Sequence, residues 1–545
     1  QEVAGAMELG MSHRGEHAEI ETFLGQTIDS ELSGNMIDIC PVGALTSKPF
    51  RYHARTWELS RRKSVAAHDS SGANLIVQVK NNQVMRVVPL ENEEVNECWI
   101  ADRDRFSYEA LNSEDRLTQP MLKQGGEWKT VDWQTALEYV ANGLRNIQRD
   151  HGANSIGALV SPHSTVEELY LAGALVRGLG SDNIDYRLRN AEFGAAEGVR
   201  TLGTSIASLS TLQRVLVVGS NLRKDHPLFA LRVRHAVRHG AQLNVITSQA
   251  DFAHADAWAM PVAQAVLADA AAWAQALADV AAAIAAEKGV TAPAAGNVTA
   301  QAQAIAKSLS GGERKAILLG NAAAHHANAS SLLALANWIA EQTGASVGYL
   351  TEAANTVGAQ WVGAHPQTGG KHAGQMLAGG LKAAILLNTE PEFDSAAGAA
   401  AAQSLGQAEM VVTLSPFKAN MAFSDVLLPI APFTETSGSF VNAEGRLQSF
   451  HAVVKPLAET RPAWKVLRVL ANLLEIPGVA FETSQDVLAR ATAKPLAASN
   501  AVLAEIRLAG PVSAPAVASI YQLDSIVRRA PSLQLTADAR QEVAA

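Results

Sequence analysis

An α/β fold built on parallel sheets is what the sequence predicts, and three observations carry that prediction. Short runs of near-continuous apolar character recur at Ile156 to Val160, Arg214 to Gly219, Leu243 to Thr247, Ala316 to Gly320, Ala383 to Asn388 and Met410 to Leu414. Strands buried on both faces read this way. Longer stretches with apolar residues at helical spacing separate them, the alternation expected where helices connect parallel strands. The chain has 545 residues, for which the length prior is roughly three or four domains, ample to bury substantial cores.

Composition narrows the function class. A net charge of -9 gives no basic field, which argues against nucleic acid as a partner. Two cysteines exclude a disulfide framework and fit a reducing compartment. No apolar run is long enough to span a bilayer. The best candidate, Ala265 to Glu287, carries Asp269 and Asp279 and reads as a packed amphipathic helix. Direct membrane insertion is therefore not expected, and membrane association would come through partner proteins.

In chain order, His13 and His17 stand four apart, a spacing that could place two imidazoles on one helix face. Gly15 between them and the lack of a following acidic motif favour exposed polar residues in a turn. Next comes Asn35-Met36-Ile37-Asp38-Ile39-Cys40-Pro41-Val42-Gly43-Ala44-Leu45-Thr46. A Cys followed by Pro ends bacterial-type iron–sulfur runs, because proline turns the backbone away from the thiolate. On spacing alone the favoured reading of Cys40 is a buried apolar cysteine beside a turn. Arg51, Arg55, Arg61, Arg62 and Lys63 form a basic run, read as a solvated linker face in preference to a charge contact with a neighbouring domain or subunit. Asn74 to Lys80 and Gln83 to Pro89 read as two strands joined by an Asn81-Asn82 turn. Cys98 follows, and then Asp102, Arg103, Asp104 and Arg105, which read most simply as a surface charge network.

From about Asp115 the α/β alternation takes over. Gln134 to Val140 has helical spacing after Val131-Asp132-Trp133. Several strand candidates end in Gly or Asn, at the edge where doubly wound folds bind ligands, which suggests a pocket without naming its occupant. The alanine-rich stretch from Ala265 to about Ser310 reads as a helical surface or insertion, with Trp273, Leu277 and Val280 at helical spacing. Trp464 to Leu474 reads as an amphipathic helix, followed by an Ala-, Ser- and Pro-rich region near Ala493 to Ser519. There is neither a Walker loop nor a dinucleotide fingerprint.

Met11-Ser12-His13-Arg14-Gly15, Ile20-Glu21-Thr22-Phe23 and Ile39 through Arg51 resemble the family of the large iron–sulfur subunit of bacterial NADH-quinone oxidoreductase, respiratory complex I. The resemblance implies that Cys40 is the fourth ligand of a [4Fe-4S] cluster, with the other three in a Cys-x-x-Cys-x-x-Cys run just upstream of residue 1. A cubane needs about four protein ligands, and Cys40 plus Cys98 make two. The chain is thus expected to begin inside the cluster-binding domain of a longer protein. The hairpin and Cys98 to Phe106 resemble the small iron–sulfur module that opens molybdopterin oxidoreductases. Here His68-Asp69-Ser70-Ser71-Gly72 stands where three cysteines would precede the hairpin, and Cys98 stands where the last ligand would be. Ala353 to Ala359, Gly369-Gly370-Lys371, Lys382 to Glu392, and Asp425-Val426-Leu427-Leu428-Pro429 through Glu444-Gly445-Arg446-Leu447-Gln448 resemble segments of the same superfamily.

The resemblance implies a molybdopterin-oxidoreductase-like multi-layer α/β fold, preceded by the tail of a ferredoxin-like iron–sulfur domain and a small β module. It divides the chain into 1–55, 56–112, 113–475 and a C-terminal extension at 476–545. It implies an electron-transfer and scaffold subunit at the cytoplasmic face of the bacterial inner membrane. Partners would be other peripheral-arm subunits, including the one that binds NADH and FMN; no molybdopterin is expected. Two alternatives stay open: a molybdenum-dependent formate-type dehydrogenase, and a redox-inert structural fragment.

Overall fold

The structure, a computed structural model, describes residues 2–25, 27–194, 198–253, 257–502, 504–508 and 513–542. Strands β1 (Leu9–Ser12) and β2 (Glu19–Thr22) pair antiparallel, and a short helix α1 (Asn35–Ile39) runs into Cys40. His13 and His17 are both exposed, as expected of a turn. A three-stranded antiparallel sheet follows, β3 (Ser60–Val65), β4 (Asn74–Lys80) and β5 (Gln83–Pro89), in that spatial order. Asn81 and Asn82 both take positive φ, 51° and 61°, the backbone that a tight two-residue hairpin turn demands and that asparagine tolerates. The basic run was expected in a linker. Arg61, Arg62 and Lys63 instead lie on β3, where pairing with β4 supplies the backbone bonds that their side chains do not, although all three side chains are exposed.

Two sheets form the α/β region. One has all strands parallel, in the order Gln264–Leu267, Gln242–Thr247, Arg214–Val218, Lys315–Leu319, Ser346–Tyr349. The other places Val426–Pro429, Met410–Ser415, Ala383–Leu387, Ile156–Val160 and Ile184–Asp185 in parallel, and the hairpin Met121–Gln124 with Glu127–Thr130 extends its edge antiparallel. The near-continuous apolar runs are therefore the central strands, covered on both faces by helices. Helix Trp133–His151 is typical of the coverings: Asp132 caps it by accepting the Thr135 N–H at 2.9 Å, and Trp133, Ala136, Leu137, Val140, Leu144 and Ile147 bury one face. Gly152 ends it at φ 81°.

Residues 265 to 287 do not form one helix. Gln264–Leu267 is the edge strand of the all-parallel sheet, and the helix begins only at Trp273 (Trp273–Lys288), where the indole N–H is bonded to the Ala268 carbonyl. Alanine accepts either conformation, so the free edge beside Gln242–Thr247 decides. Nor is this helix a surface or an insertion: Trp273, Leu277, Val280 and Ile284 are 3% exposed or less and fill the core between that sheet and helices Ala300–Ser310 and Ala329–Thr343.

Described parts of the C-terminal stretch pack against the rest. Ser484–Ala491 packs on Val166–Gly178. Residues 503 and 509–512 of the Ala-, Ser- and Pro-rich region, and 543–545 beyond it, lie outside the described residues. Residues 513–542 run as a strap across the small sheet module and the α/β region. His68 meets Asp524 at 2.7 Å, Ser532 is held by Glu109, Arg528 pairs with Asp394 at 2.8 Å, and Lys224 pairs with Asp538 at 2.8 Å. Tyr521, Val527, Ala530 and Leu533 bury against Phe106.

Candidate functional site

Cys40 sits where α1 stops. Its N–H still closes the helix on the Met36 carbonyl at 3.1 Å, but its φ and ψ of -68° and 107° are extended, as the following Pro41 requires. The chain then turns back, with Gly43 at φ 67°, a conformation that a side chain would strain. The amides of Leu45, then Val42, Ala44 and Gly43, face the sulfur and hold the Cys40 thiol below its ordinary range, outweighing a desolvation effect of opposite sign. The thiol at the centre of this amide nest is half-exposed and free of any disulfide.

α1 is fixed to the sheet module by a dense polar contact. Asn35 donates to the Ile100 carbonyl at 2.8 Å and accepts its N–H at 3.2 Å; Arg105 donates to Asp38 at 2.6 Å; the Gly34 N–H and Ser33 hydroxyl donate to Asp102 at 2.7 and 2.6 Å. A Cβ at Gly34 would lie 2.4 Å from Arg105 Cδ, so any larger residue there would force the buried Arg105 side chain to move.

Asp102 to Arg105 were expected as a surface charge network, and the structure overturns this. Within helix α2 (Asp102–Phe106) they are 6%, 1%, 1% and 4% exposed. α1 covers Asp102 and Arg105, while the strap and the 68–72 turn cover Arg103 and Asp104. Arg103 donates to Asp69 at 2.7 Å and to the Asp225 carbonyl at 3.0 Å. His68 stands between Asp524 at 2.7 Å and Ser107 at 2.8 Å. Burial pulls the His68 pKa down, but the Asp524 carboxylate more than reverses it, so the imidazole is held above its ordinary value. Both oxygens of Asp104 lack a hydrogen-bond partner among the described residues, and burial pushes its pKa up to about 7. Thus the turn that would carry three cysteines carries an ion-paired polar core. Arg103, and not Cys98, reaches into it; Cys98 is exposed, and partial burial followed by the Glu97 charge raises its thiol.

A cavity of about 1680 Å³ lies beside the ends of the parallel strands, and the glycine-rich Gly369-Gly370-Lys371 loop lines it. Its floor includes His163, which donates from Nδ1 to the Ala67 carbonyl at 2.9 Å and leaves Nε2 unpartnered among the described residues. Three of the guanidinium groups on its wall are paired with carboxylates: Arg177 with Asp182 at 3.0 Å, Arg187 with Asp185 at 2.9 Å, Arg189 with Glu352 at 3.1 Å; Arg200, Arg490, Lys371 and Lys494 also line it. Neither cysteine lines it. With no cysteine on its wall, the cavity does not fit a cysteine-ligated molybdenum. The residues at Cys40 fit one corner of an iron–sulfur cluster and not a complete ligand set. Asp29, Glu31 and Asp538 also converge, but cations already sit among them, Lys224 at 2.5 Å from Glu31 and 2.8 Å from Asp538 and Arg223 at 2.8 Å from Glu31.

Comparison with known proteins places these parts. A family model described as molybdopterin oxidoreductase matches residues 116–473. A ferredoxin-like domain of NADH-quinone oxidoreductase subunit 3 matches residues 1–46, and an NDSU1/NuoG-like 4Fe-4S domain of NADH-ubiquinone oxidoreductase matches residues 59–109. Among curated relatives, the G subunit of the NADH-quinone oxidoreductase of Rickettsia felis is 39% identical over 44% of this chain and 35% of its own length. Its counterpart in Rickettsia typhi is 28% identical over 90% of this chain and 66% of its own length. The chain thus spans between about a third and two thirds of these relatives. Among solved structures, acetylene hydratase from Pelobacter acetylenicus aligns with a TM-score of 0.49 at 14% identity, covering 77% of this chain and 70% of that one.

Proposed function

The chain belongs to the molybdopterin oxidoreductase family, and from that premise we propose that it is the electron-carrying and scaffolding subunit of an NADH-quinone oxidoreductase. In this reading the enzyme passes electrons from NADH through FMN on another subunit and along iron–sulfur clusters towards quinone. One-electron carriage is the chemistry a [4Fe-4S] cluster supplies when bound. Cys40 would hold one iron, and groups outside these 545 residues would complete the ligand set. The amides of Leu45, Val42, Ala44 and Gly43 would stabilise negative charge on the sulfur, which favours the reduced state. The observation that carries the reading is this amide-lined Cys40 turn, inside the range matched by a ferredoxin-like domain of the same enzyme.

The division at 1–55, 56–112, 113–475 and 476–545 belongs to the same proposal, as do energy-coupled translocation by the whole enzyme, a place on the cytoplasmic face of the bacterial inner membrane, and the NADH- and FMN-binding subunit as a partner. Among the described residues no helix is long and apolar enough to cross a membrane, so attachment through partners is consistent with the fold. The names of the relatives support the choice of enzyme.

Metal analysis and low-temperature electron paramagnetic resonance on the assembled enzyme, with and without Cys40→Ala, test the proposal. The expected result is loss of one reduced [4Fe-4S] signal in the variant, with molybdenum absent from both. Unchanged iron signals would remove Cys40 from the relay, and bound molybdenum would move the formate-type dehydrogenase ahead.

A further inference from the structure

The stretch from 51 to 63 carries Arg51, Arg55, Arg61, Arg62 and Lys63 against one acid, Glu58, in a chain whose net charge is -9. Glu58 is committed to Lys80 at 3.1 Å. All five cations are exposed and none forms an ion pair among the described residues; Arg51 bonds only the Thr46 hydroxyl, and Arg55 lies 6.0 Å from the centre of the Trp57 ring. Large apolar groups are exposed in and near this stretch: Tyr52 is 96% exposed, Trp57 82% and Val42 83%. Tyr52 also holds φ at 70°, a strained backbone for an aromatic residue, and such strain persists where function requires it. Strand β3, which presents three of the cations, is the outer strand of its sheet.

The face adjoins Cys40. The Arg51 guanidinium bonds Thr46, the residue after Leu45, whose amide faces the Cys40 sulfur. Exposed aromatics among arginines, depleted of acids, have the composition of an interface core and rim. Exposed like charges clustered along this edge, Arg62 projecting to the opposite side of β3 from Arg61 and Lys63, select a partner of opposite charge and speed its approach.

We propose that this face docks an acidic surface of another subunit of the same oxidoreductase, which would bring that subunit beside Cys40. The inference rests on the function proposed above and adds to it the position and the charge of one partner contact.

The test places a photo-crosslinking benzoylphenylalanine at Tyr52 or Trp57 of a tagged chain, in cells that assemble the whole enzyme. Products are mapped by mass spectrometry, with and without the triple reversal R61E/R62E/K63E. The expected product joins the chain to a net-acidic segment of another subunit, and the reversal lowers its yield by about tenfold or more. The same reversal leaves the thermal unfolding of the purified chain unchanged, because the three side chains are exposed; the neutral variant R61Q/R62Q/K63Q falls between the two in crosslink yield. Products formed only with lipid, with a second copy or within the chain would overturn the docking, as would a yield indifferent to the reversal. If the tagged chain copurifies with NADH dehydrogenase activity and yet gives no such product, the docking alone fails. If it does not copurify with that activity, the function reading fails and the docking with it.

Discussion

Arg103, 1% exposed, donates to the carboxylate of Asp69 at 2.7 Å, and this pair occupies the turn where cluster-bearing modules of the same architecture would carry cysteines. The two charges tolerate burial only because each satisfies the other. Asp69→Asn would leave the guanidinium without its counter-charge and is expected to cost about 3–5 kcal/mol, read as a lower urea midpoint at an unchanged slope. A loss under about 1 kcal/mol would mean that Asp104 carries the pairing instead.

Asp104 should make the chain less stable as pH rises. Its folded pKa, about 7, lies above the ordinary 3.8. The folded state therefore keeps a proton that the unfolded chain releases, and the associated stability is full below pH 3.8 and lost as pH rises through 7. Asp104→Asn is expected to be near neutral at about pH 4 and stabilising by roughly 1–3 kcal/mol at about pH 8, measured by thermal unfolding across that range. An unaltered pH slope would sink the argument.

The two cysteines should differ in reactivity. The amides of Leu45 and its neighbours lower the Cys40 thiol, whereas partial burial and the Glu97 charge raise Cys98. In the chain alone at about pH 7.5, iodoacetamide should modify Cys40 at least about threefold faster, as counted by peptide mass spectrometry. Equal rates would show that the nest does not stabilise the thiolate.

The strap should depend on one buried ion pair. Asp524→Asn removes the charge facing His68 and is expected to raise trypsin cleavage after Arg528 and Arg529 on the order of tenfold to a hundredfold. The Asp524 contribution, from a depressed pKa, is present above about pH 3.8 and lost on acidification. The His68 contribution, from a raised one, is present below about pH 6.5 and lost as pH climbs past its folded value. Native protection that ignores the substitution would place the hold elsewhere along residues 513–542.

Gly348 has a different reason for being glycine. A Cβ there would come 1.7 Å from the Leu202 carbonyl oxygen, which belongs to backbone and cannot swing aside. Gly348→Ala should destabilise by about 2–4 kcal/mol or prevent folding, seen in the thermal midpoint or the soluble yield.

Much of the fold was legible because the parallel strands announce themselves. Runs such as Val215 to Val218 and Ala383 to Leu387 are apolar on both faces, and only a doubly covered sheet explains that. The hairpin was equally plain, since Asn81-Asn82 between alternating β-branched runs specifies its turn. The edge strand Gln264–Leu267 was hidden inside alanine-rich sequence, where pairing with a distant neighbour outweighs local preference. Two-residue Ile184–Asp185 is too short to carry any period.

At the site, Cys40 was visible through the proline that follows it, but the burial of Asp102 to Arg105 was not. Alternating charges in a five-residue helix look like a surface, and what covers them arrives from Asp38, Asp69 and the far-off Asp524. No local signal encodes that. The ion pairs made by cavity arginines were hidden for the same reason where the partner is remote, as with Arg189 and Glu352; Arg187 and Asp185, two residues apart, were readable in principle.

The clasp between His68 and Asp524 spans 456 positions of sequence, and this has a consequence for the order in which the protein is made. A ribosome adding roughly 5–20 residues per second needs about 20–90 s to travel from one to the other. For that interval the nascent hairpin module is present with its imidazole and the Arg103 side of its polar core uncovered. Newly made chains should then rely on chaperone shelter early in synthesis, and ribosome-bound intermediates stalled before residue 513 should expose the module to protease that finished chains resist.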